Sequence, residues 1–270
     1  MINMCVMIVL FVLGAMMGSF ACCQAWRIRK GDKAKWSHCM NCKYQLQWYD
    51  NIPIVSWIAL GGKCRKCRHK IGYAEILSEV GVGFIFALSY ILWPRFEELF
   101  KLDVLEVIKY GLFLINLVMM TILFVYDAKW KELPVKLLYA TWVVAIGFLG
   151  INMWQEYQVA GSIDLLTIFG ALLILPVFYF IMYRISHESW VGGGDWMLCV
   201  PLALMLGDFW LAMFAMFAAN ILGCVTMLPV ALSKKDRRLK IPFGPFLILG
   251  FLVVFFLQVE IIKFTGIGLL

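Results

Sequence analysis

Charge is scarce in this sequence: 15% of its 270 residues are Asp, Glu, Lys or Arg, while 63% are apolar. With a mean hydropathy of +0.86, it lacks the polar surface that a water-soluble domain of this length needs, so the expected solvent is a bilayer. Also missing is any basic cluster ahead of the first apolar run. A cleaved signal peptide carries its positive charges before the apolar core. Here Arg27, Arg29 and Lys30 follow the core instead, so the run reads as a retained first helix.

A helical span needs about 20 apolar residues, and the apolar runs supply about eight spans. They cover residues 3–24, 76–94, 105–126, 136–154, 164–183, 196–207, 209–231 and 243–263, the sixth short enough to be tilted or paired tightly with its neighbour. The expected fold is therefore an all-α polytopic membrane protein with one small loop domain. Alternate loops hold 20 of the 24 basic residues, eleven of them in residues 27–75. The other loops and ends hold only Arg95, Lys101, Lys109 and Lys263. The positive-inside rule places the 27–75 loop in the cytosol and both termini outside. The same alternation argues against a nucleic-acid patch as the reason for the net charge of +7. Lys234, Lys235, Arg237, Arg238 and Lys240 read as an anchor to anionic headgroups.

The nine cysteines fall into two groups. Cys5, Cys22, Cys23, Cys199 and Cys224 lie in apolar spans, where cysteine packs as a small hydrophobe. Cys39-Met-Asn-Cys42 and Cys64-Arg-Lys-Cys67 are two CxxC knuckles with 21 residues between them. Four thiolates at this spacing suit a closed tetrahedral Zn²⁺ site. The alternative, two disulfides, conflicts with a reducing cytosol. A closed site leaves no coordination position for chemistry, so the metal is expected to shape the loop. His38 and His69 flank the knuckles and read as surface residues.

Carboxylates at membrane depth are costly and usually functional. Asp127 ends the third span, and Asp195 follows Gly192-Gly193-Gly194 at the start of the sixth. The topology puts both at the cytosolic face. Two such carboxyls sharing a proton can activate water, one as base and one as acid. Glycines beside them allow close backbone approach to an extended substrate. The plainer readings are a solvated helix end for Asp127 and a helix cap for Asp195. Glu79, where the loop enters the second span, is a further buried candidate. Asp164, Asp208 and Glu260 read as boundary residues.

Taken together, these residues resemble the bacterial prepilin peptidases, or type IV leader peptidases. The resemblance rests on Gly18-Ser19-Phe20 with Arg27, on Trp48-Tyr49-Asp50-Asn51-Ile52-Pro53 after the first knuckle and on Gly62-Lys63 before the second. It continues in Asp127 seven residues before Pro134, in Gly192-Gly193-Gly194-Asp195, a GxGD motif, and in Ile241-Pro242-Phe243-Gly244-Pro245-Phe246. The sequence departs from the family at Cys22 (usually Asn), at Ala74-Glu75-Ile76 (usually Arg-Tyr-Pro), at Val135 and at Trp196 (usually Lys).

The resemblance implies a bifunctional enzyme of the bacterial inner membrane. Asp127 and Asp195 would be catalytic and Gly192 and Gly194 part of the active-site motif. Cys39, Cys42, Cys64 and Cys67 would hold structural zinc. The substrates would be type IV prepilins, or pseudopilins of type II secretion and DNA-uptake machines, cut after glycine. The new N-terminus would be methylated by S-adenosylmethionine. No glycine-rich adenosine-binding signature is present, and Glu79 is the one residue suggested for that part. The implied division is a first transmembrane helix (1–26), a cytosolic zinc loop linked to methylation (27–75) and a transmembrane peptidase domain (76–270). A peptidase without methylase activity, a proton-coupled transporter using Asp127 and Asp195, and a membrane-anchored zinc scaffold are the competing readings.

Overall fold

The structure, a computed structural model, describes residues 2–32, 36–188, 191–234 and 242–265. Eight main helices carry the chain: α1 (Ile2–Lys30), α2 (Tyr73–Ile91), α3 (Val104–Trp130), α4 (Val135–Ala160), α5 (Leu165–Ser186), α6 (Gly193–Leu206), α7 (Phe209–Lys234) and α8 (Gly244–Thr265). Seven of these are long and apolar enough to cross a membrane. The other is α6, the expected sixth span, which has only 14 residues. Among the described residues there is no strand, only isolated bridges His38–Gln45 and Lys63–Lys70. The fold is thus an all-α polytopic membrane protein. Lys235, Arg237, Arg238, Lys240 and Ile241 lie outside the described residues, as does the side chain of Lys234.

The chain divides into two compact units, residues 1–91 and 92–270. In the first, α1 and α2 pack with almost no side chain between them. A Cβ at Gly14 would lie 2.7 Å from Phe86 Cβ, and one at Gly18 would lie 2.9 Å from Glu79 Cα. In lipid, where burial of apolar surface gives no drive, such close backbone contact at small residues is what holds helices together. The Gly18 of the opening motif is a packing residue. Cys22, one turn on, puts its thiol 3.0 Å from Ser78 Oγ, a link between the same helices.

In the second unit each helix end has a local cause. Asp103 accepts from the Glu106 N–H at the start of α3 (3.1 Å), and Asp208 accepts from Leu211 at the start of α7 (2.9 Å). Asp164 caps α5 in the same way, so Asp164 and Asp208 are boundary residues with a defined capping task. Gly161 (φ 69°) and Gly207 (φ 65°) end α4 and α6 in the left-handed conformation that glycine adopts without strain. The core is aromatic and aliphatic, with Phe113 stacked on Phe255 at 4.7 Å and Trp93 edge-on to Phe113 at 5.4 Å. Large apolar side chains on the outside, such as Val143 and Leu166, are exposed, as expected where lipid is the solvent. Cys199 is buried, whereas Cys5 and Cys224 lie on the outer surface of their helices.

Candidate active site and metal cluster

Asp127 sits in the last turn of α3. That helix stops at Lys131, whose φ of 57° breaks the helical path while its N–H returns to the Asp127 carbonyl at 2.7 Å. The carboxyl is 5% exposed. Its Oδ2 accepts from the backbone N–H of Gly244 at 3.0 Å, across 117 residues. Gly244 opens α8, so the carboxyl meets the electropositive end of a helix. A Cβ at Gly244 would lie 2.9 Å from that oxygen, so only glycine fits without a shift.

Asp195 sits in the first turn of α6 and is 8% exposed. Its Oδ2 accepts from the Gly192 N–H at 2.9 Å, and its own N–H returns to the Gly192 carbonyl at 3.1 Å. The two aspartates are therefore held alike, each by one glycine N–H at a helix start. Asp195 is not itself the N-cap, which is Gly192, but closes the cap from the third residue of α6, and Asp127 accepts from the first N–H of α8 in a similar way.

Backbone contact joins the two carriers. A Cβ at Gly194 would meet Leu133 Cβ at 2.7 Å, just past the end of α3. On α4, the Trp142 indole donates to the Met197 carbonyl of α6 at 2.8 Å. The Gly194–Leu133 contact sets the start of α6, which carries Asp195, against the chain just past the end of α3, which carries Asp127. No cation stands within salt-bridge distance of either aspartate among the described residues. Two buried carboxyls, one protonated and one ionised, can move a proton to and from a water held between them.

In the first unit the four cysteines come together, their sulfurs within 4.8 Å of one another. Cys39 Sγ to Cys67 Sγ is 3.8 Å, and Cys42 Sγ to Cys64 Sγ is 4.0 Å. A tetrahedron of sulfurs with 2.3 Å bonds to zinc has edges of about 3.8 Å, so the cluster fits such an ion. The knuckles repeat one design 25 residues apart. Cys39 N–H bonds to the Tyr44 carbonyl and Cys64 N–H to that of His69; Lys43 and Arg68 share a φ of 58°. The His69 backbone N–H, above all, holds the Cys67 thiol down to about 6. Cys42 is raised to about 11: the Tyr44 backbone pulls it down, but loss of solvent and the other three thiols outweigh that. His69 serves the cluster through its backbone, while the His38 ring lies 3.4 Å from Asp32.

Three features of the motifs take on a physical role here. Arg65 Nε contacts Asp50 at 2.7 Å, and its guanidinium lies 4.9 Å over the Tyr49 ring, tying the Trp48–Asn51 turn to the second knuckle. Glu79, 7% exposed on α2, accepts from the Ile54 N–H at 2.7 Å. Ile54 has a φ of 64°, a costly conformation for a β-branched residue, and Glu79 is what secures it. Gly244 escaped the sequence reading as a partner of Asp127, although the IPFGPF run that contains it was noticed.

A polytopic helical membrane protein with a buried pair of aspartates and a four-sulfur cluster is the class that this geometry defines. Comparison with known proteins narrows it. A family model described as Bacterial Peptidase A24 N-terminal domain matches residues 12–93. The chain is 28% identical over 224 residues to the Prepilin leader peptidase/N-methyltransferase of Vibrio cholerae, covering 82% of this chain and 80% of that one. It is 27% identical over 225 residues to the Type 4 prepilin-like proteins leader peptide-processing enzyme of Escherichia coli, covering 82% and 76%. With the Prepilin leader peptidase/N-methyltransferase of Pseudomonas aeruginosa the figures are 25% over 215 residues, covering 78% and 68%. No solved structure matches. The resemblance to the bacterial prepilin peptidase family is borne out over most of the chain.

Proposed function

We propose that this protein is an aspartic endopeptidase of the bacterial inner membrane that removes the basic leader of type IV prepilins or pseudopilins. Cleavage follows a glycine at the cytosolic face, the side on which the basic loops place Asp127 and Asp195. The observation that carries this reading is the pair of buried aspartates, each held by a glycine N–H, on two segments joined by the Gly194–Leu133 contact. The relatives' names support the substrate class.

One carboxylate takes a proton from a water, whose oxygen attacks the scissile carbonyl carbon. The other, protonated, gives its proton to the carbonyl oxygen. The tetrahedral intermediate collapses as the C–N bond breaks and the amine leaves with a proton from the pair. Two near carboxyls hold a single proton between them more easily than two charges, which keeps both roles filled. Closure onto substrate would bring them within reach of one water. The four cysteines hold structural zinc, which supplies a fold for the loop and takes no part in these steps. The freed amine then attacks the methyl carbon of S-adenosylmethionine, breaking its S–CH₃ bond and losing a proton; Glu79 is the candidate contributor from this chain.

The test is cleavage of a purified prepilin in detergent, followed by mass spectrometry with S-adenosylmethionine present. Wild type should cut after glycine and add a methyl group, while Asp127→Asn and Asp195→Asn should be folded and inactive. Cleavage by either variant would end the two-aspartate mechanism.

A further inference from the structure

Helix α5 is not regular. Its middle, Leu173–Val177, is wound one residue wider per turn, with Pro176 inside it. Such a wide turn re-aims the side chains that follow, and proline, lacking an N–H, favours the break. The side chains that follow are Phe178, Tyr179 and Phe180. Tyr179 is 3% exposed.

Ring contacts locate it. Tyr179 packs on Phe243 with centroids 5.5 Å apart, and Phe243 immediately precedes the Gly244 that donates to Asp127. The next residue, Phe180, meets Trp196 edge-on at 5.2 Å, and Trp196 immediately follows Asp195. Tyr179 thus packs on the residue before Gly244, while its neighbour Phe180 packs on the residue after Asp195.

Asn220 of α7 settles which way the hydroxyl points. Its Nδ2 lies 2.8 Å from the Met216 carbonyl oxygen and 3.0 Å from Tyr179 Oη. A carbonyl only accepts, so the atom facing Met216 is the amide nitrogen, and that same nitrogen donates to Tyr179. The hydroxyl is the acceptor of that bond, and its own O–H has no acceptor among the described residues. A buried donor left unmade is costly, which points to an acceptor that arrives with the substrate.

We propose that Tyr179 is a third catalytic group of this site, donating a hydrogen bond to the scissile carbonyl oxygen as that oxygen gains negative charge. Asn220 is its positioning residue. The proton stays on the tyrosine throughout. This inference rests on the peptidase reading above and adds a second donor to the carbonyl oxygen, beside the protonated aspartate.

The experiment measures kcat and KM for a purified prepilin with wild type, Tyr179→Phe, Asn220→Leu and the double variant, alongside Asp127→Asn, with thermal unfolding in detergent for each. Loss of one such donor reduces kcat about 100-fold with KM little changed, and Tyr179→Phe should show that at wild-type unfolding temperature. Asn220→Leu should lose less, and nothing more once Tyr179 is Phe, because it acts through the hydroxyl. Wild-type kcat in Tyr179→Phe while Asp127→Asn is inactive would overturn this inference and leave the peptidase reading intact. Losses that multiply in the double variant, or that appear only as lower unfolding temperature, would also overturn it. A wild type that cleaves no prepilin would remove the peptidase reading itself and this inference with it.

Discussion

At the start of α3, Glu106 and Lys109 are buried with every charge answered. Toward the other end of the same helix, roughly 27 Å from Lys109 at 1.5 Å per residue, Asp127 is buried with no cation at salt-bridge distance among the described residues. Lys109 Nζ donates to Glu106 at 2.7 Å, to Gln155 at 2.8 Å and to Asn152 at 3.1 Å. Glu106 also accepts from the Trp93 indole at 3.0 Å and from Gln155 at 3.0 Å. A fully satisfied network of this kind rigidifies a bundle and asks nothing of a ligand. The two aspartates do the opposite: each is buried on a single backbone donor, an arrangement that folding alone gives no reason to keep. Burial of charge is common to both sites, and only the accounting of partners separates structure from chemistry.

The sharpest way to break this contrast is to neutralise each site in turn. Asp127→Asn or Asp195→Asn should reduce prepilin cleavage by about 1,000-fold or more, within the usual reach of a lost acid or base. Unfolding temperature should hold or rise, since a costly charge goes while the side-chain oxygen still accepts from glycine. Lys109→Met should do the reverse. It leaves Glu106 with Arg95 at 3.8 Å as its one remaining cation among the described residues and should cost about 3 kcal/mol of stability, the low end for breaking a buried pair, with kcat per folded molecule unchanged. Lys109→Met combined with Glu106→Leu should recover most of that stability in a denaturation series. If Lys109→Met removed activity without loss of stability, the network would be part of the chemistry and the contrast would fail.

Smaller effects sharpen the same distinction in the first unit. Chelation should release one zinc per chain by elemental analysis and open residues 36–72 to protease, while the α1–α2 contact persists. Cys22→Ala should cost only about 1 kcal/mol, the net value of an ordinary hydrogen bond, because its thiol is one link in a contact dominated by glycine packing.

Much of this was legible in the sequence for simple reasons. Spans announce themselves by length and hydropathy, and the CxxC pairs by spacing, so the helical bundle and the sulfur cluster needed no coordinates. The short α6 was visible as a run too brief to cross upright. What stayed hidden is contact at long separation. Nothing local in Phe243-Gly244-Pro245 says that its N–H reaches Asp127, and nothing around Tyr179 marks the side of α5 it occupies after the wide turn. Glu106 and Lys109 carried a readable signal, two opposite charges three residues apart inside an apolar run. Lys109 was instead grouped with the outer-loop charges, and the structure shows its side chain buried at 6% exposure.

The paired knuckles also change how the chain between α1 and α2 behaves as a polymer. Without a link, the loop between α1 and α2 is a slack tether that adds nothing to the glycine contact holding the two helices together. Each knuckle brings two sulfurs, so neither closes a metal shell alone, and among the described residues of this loop Cys64 is the one buried apolar side chain. An ion shared between them closes a ring from Cys39 to Cys67, and a covalent link over that length restrains an unfolded chain by about 3–4 kcal/mol. A bound ion would therefore act as a removable crosslink. It would shorten the tether and raise the effective concentration of each helix for the other, a gain added to the glycine contact that still pairs them when the metal is gone.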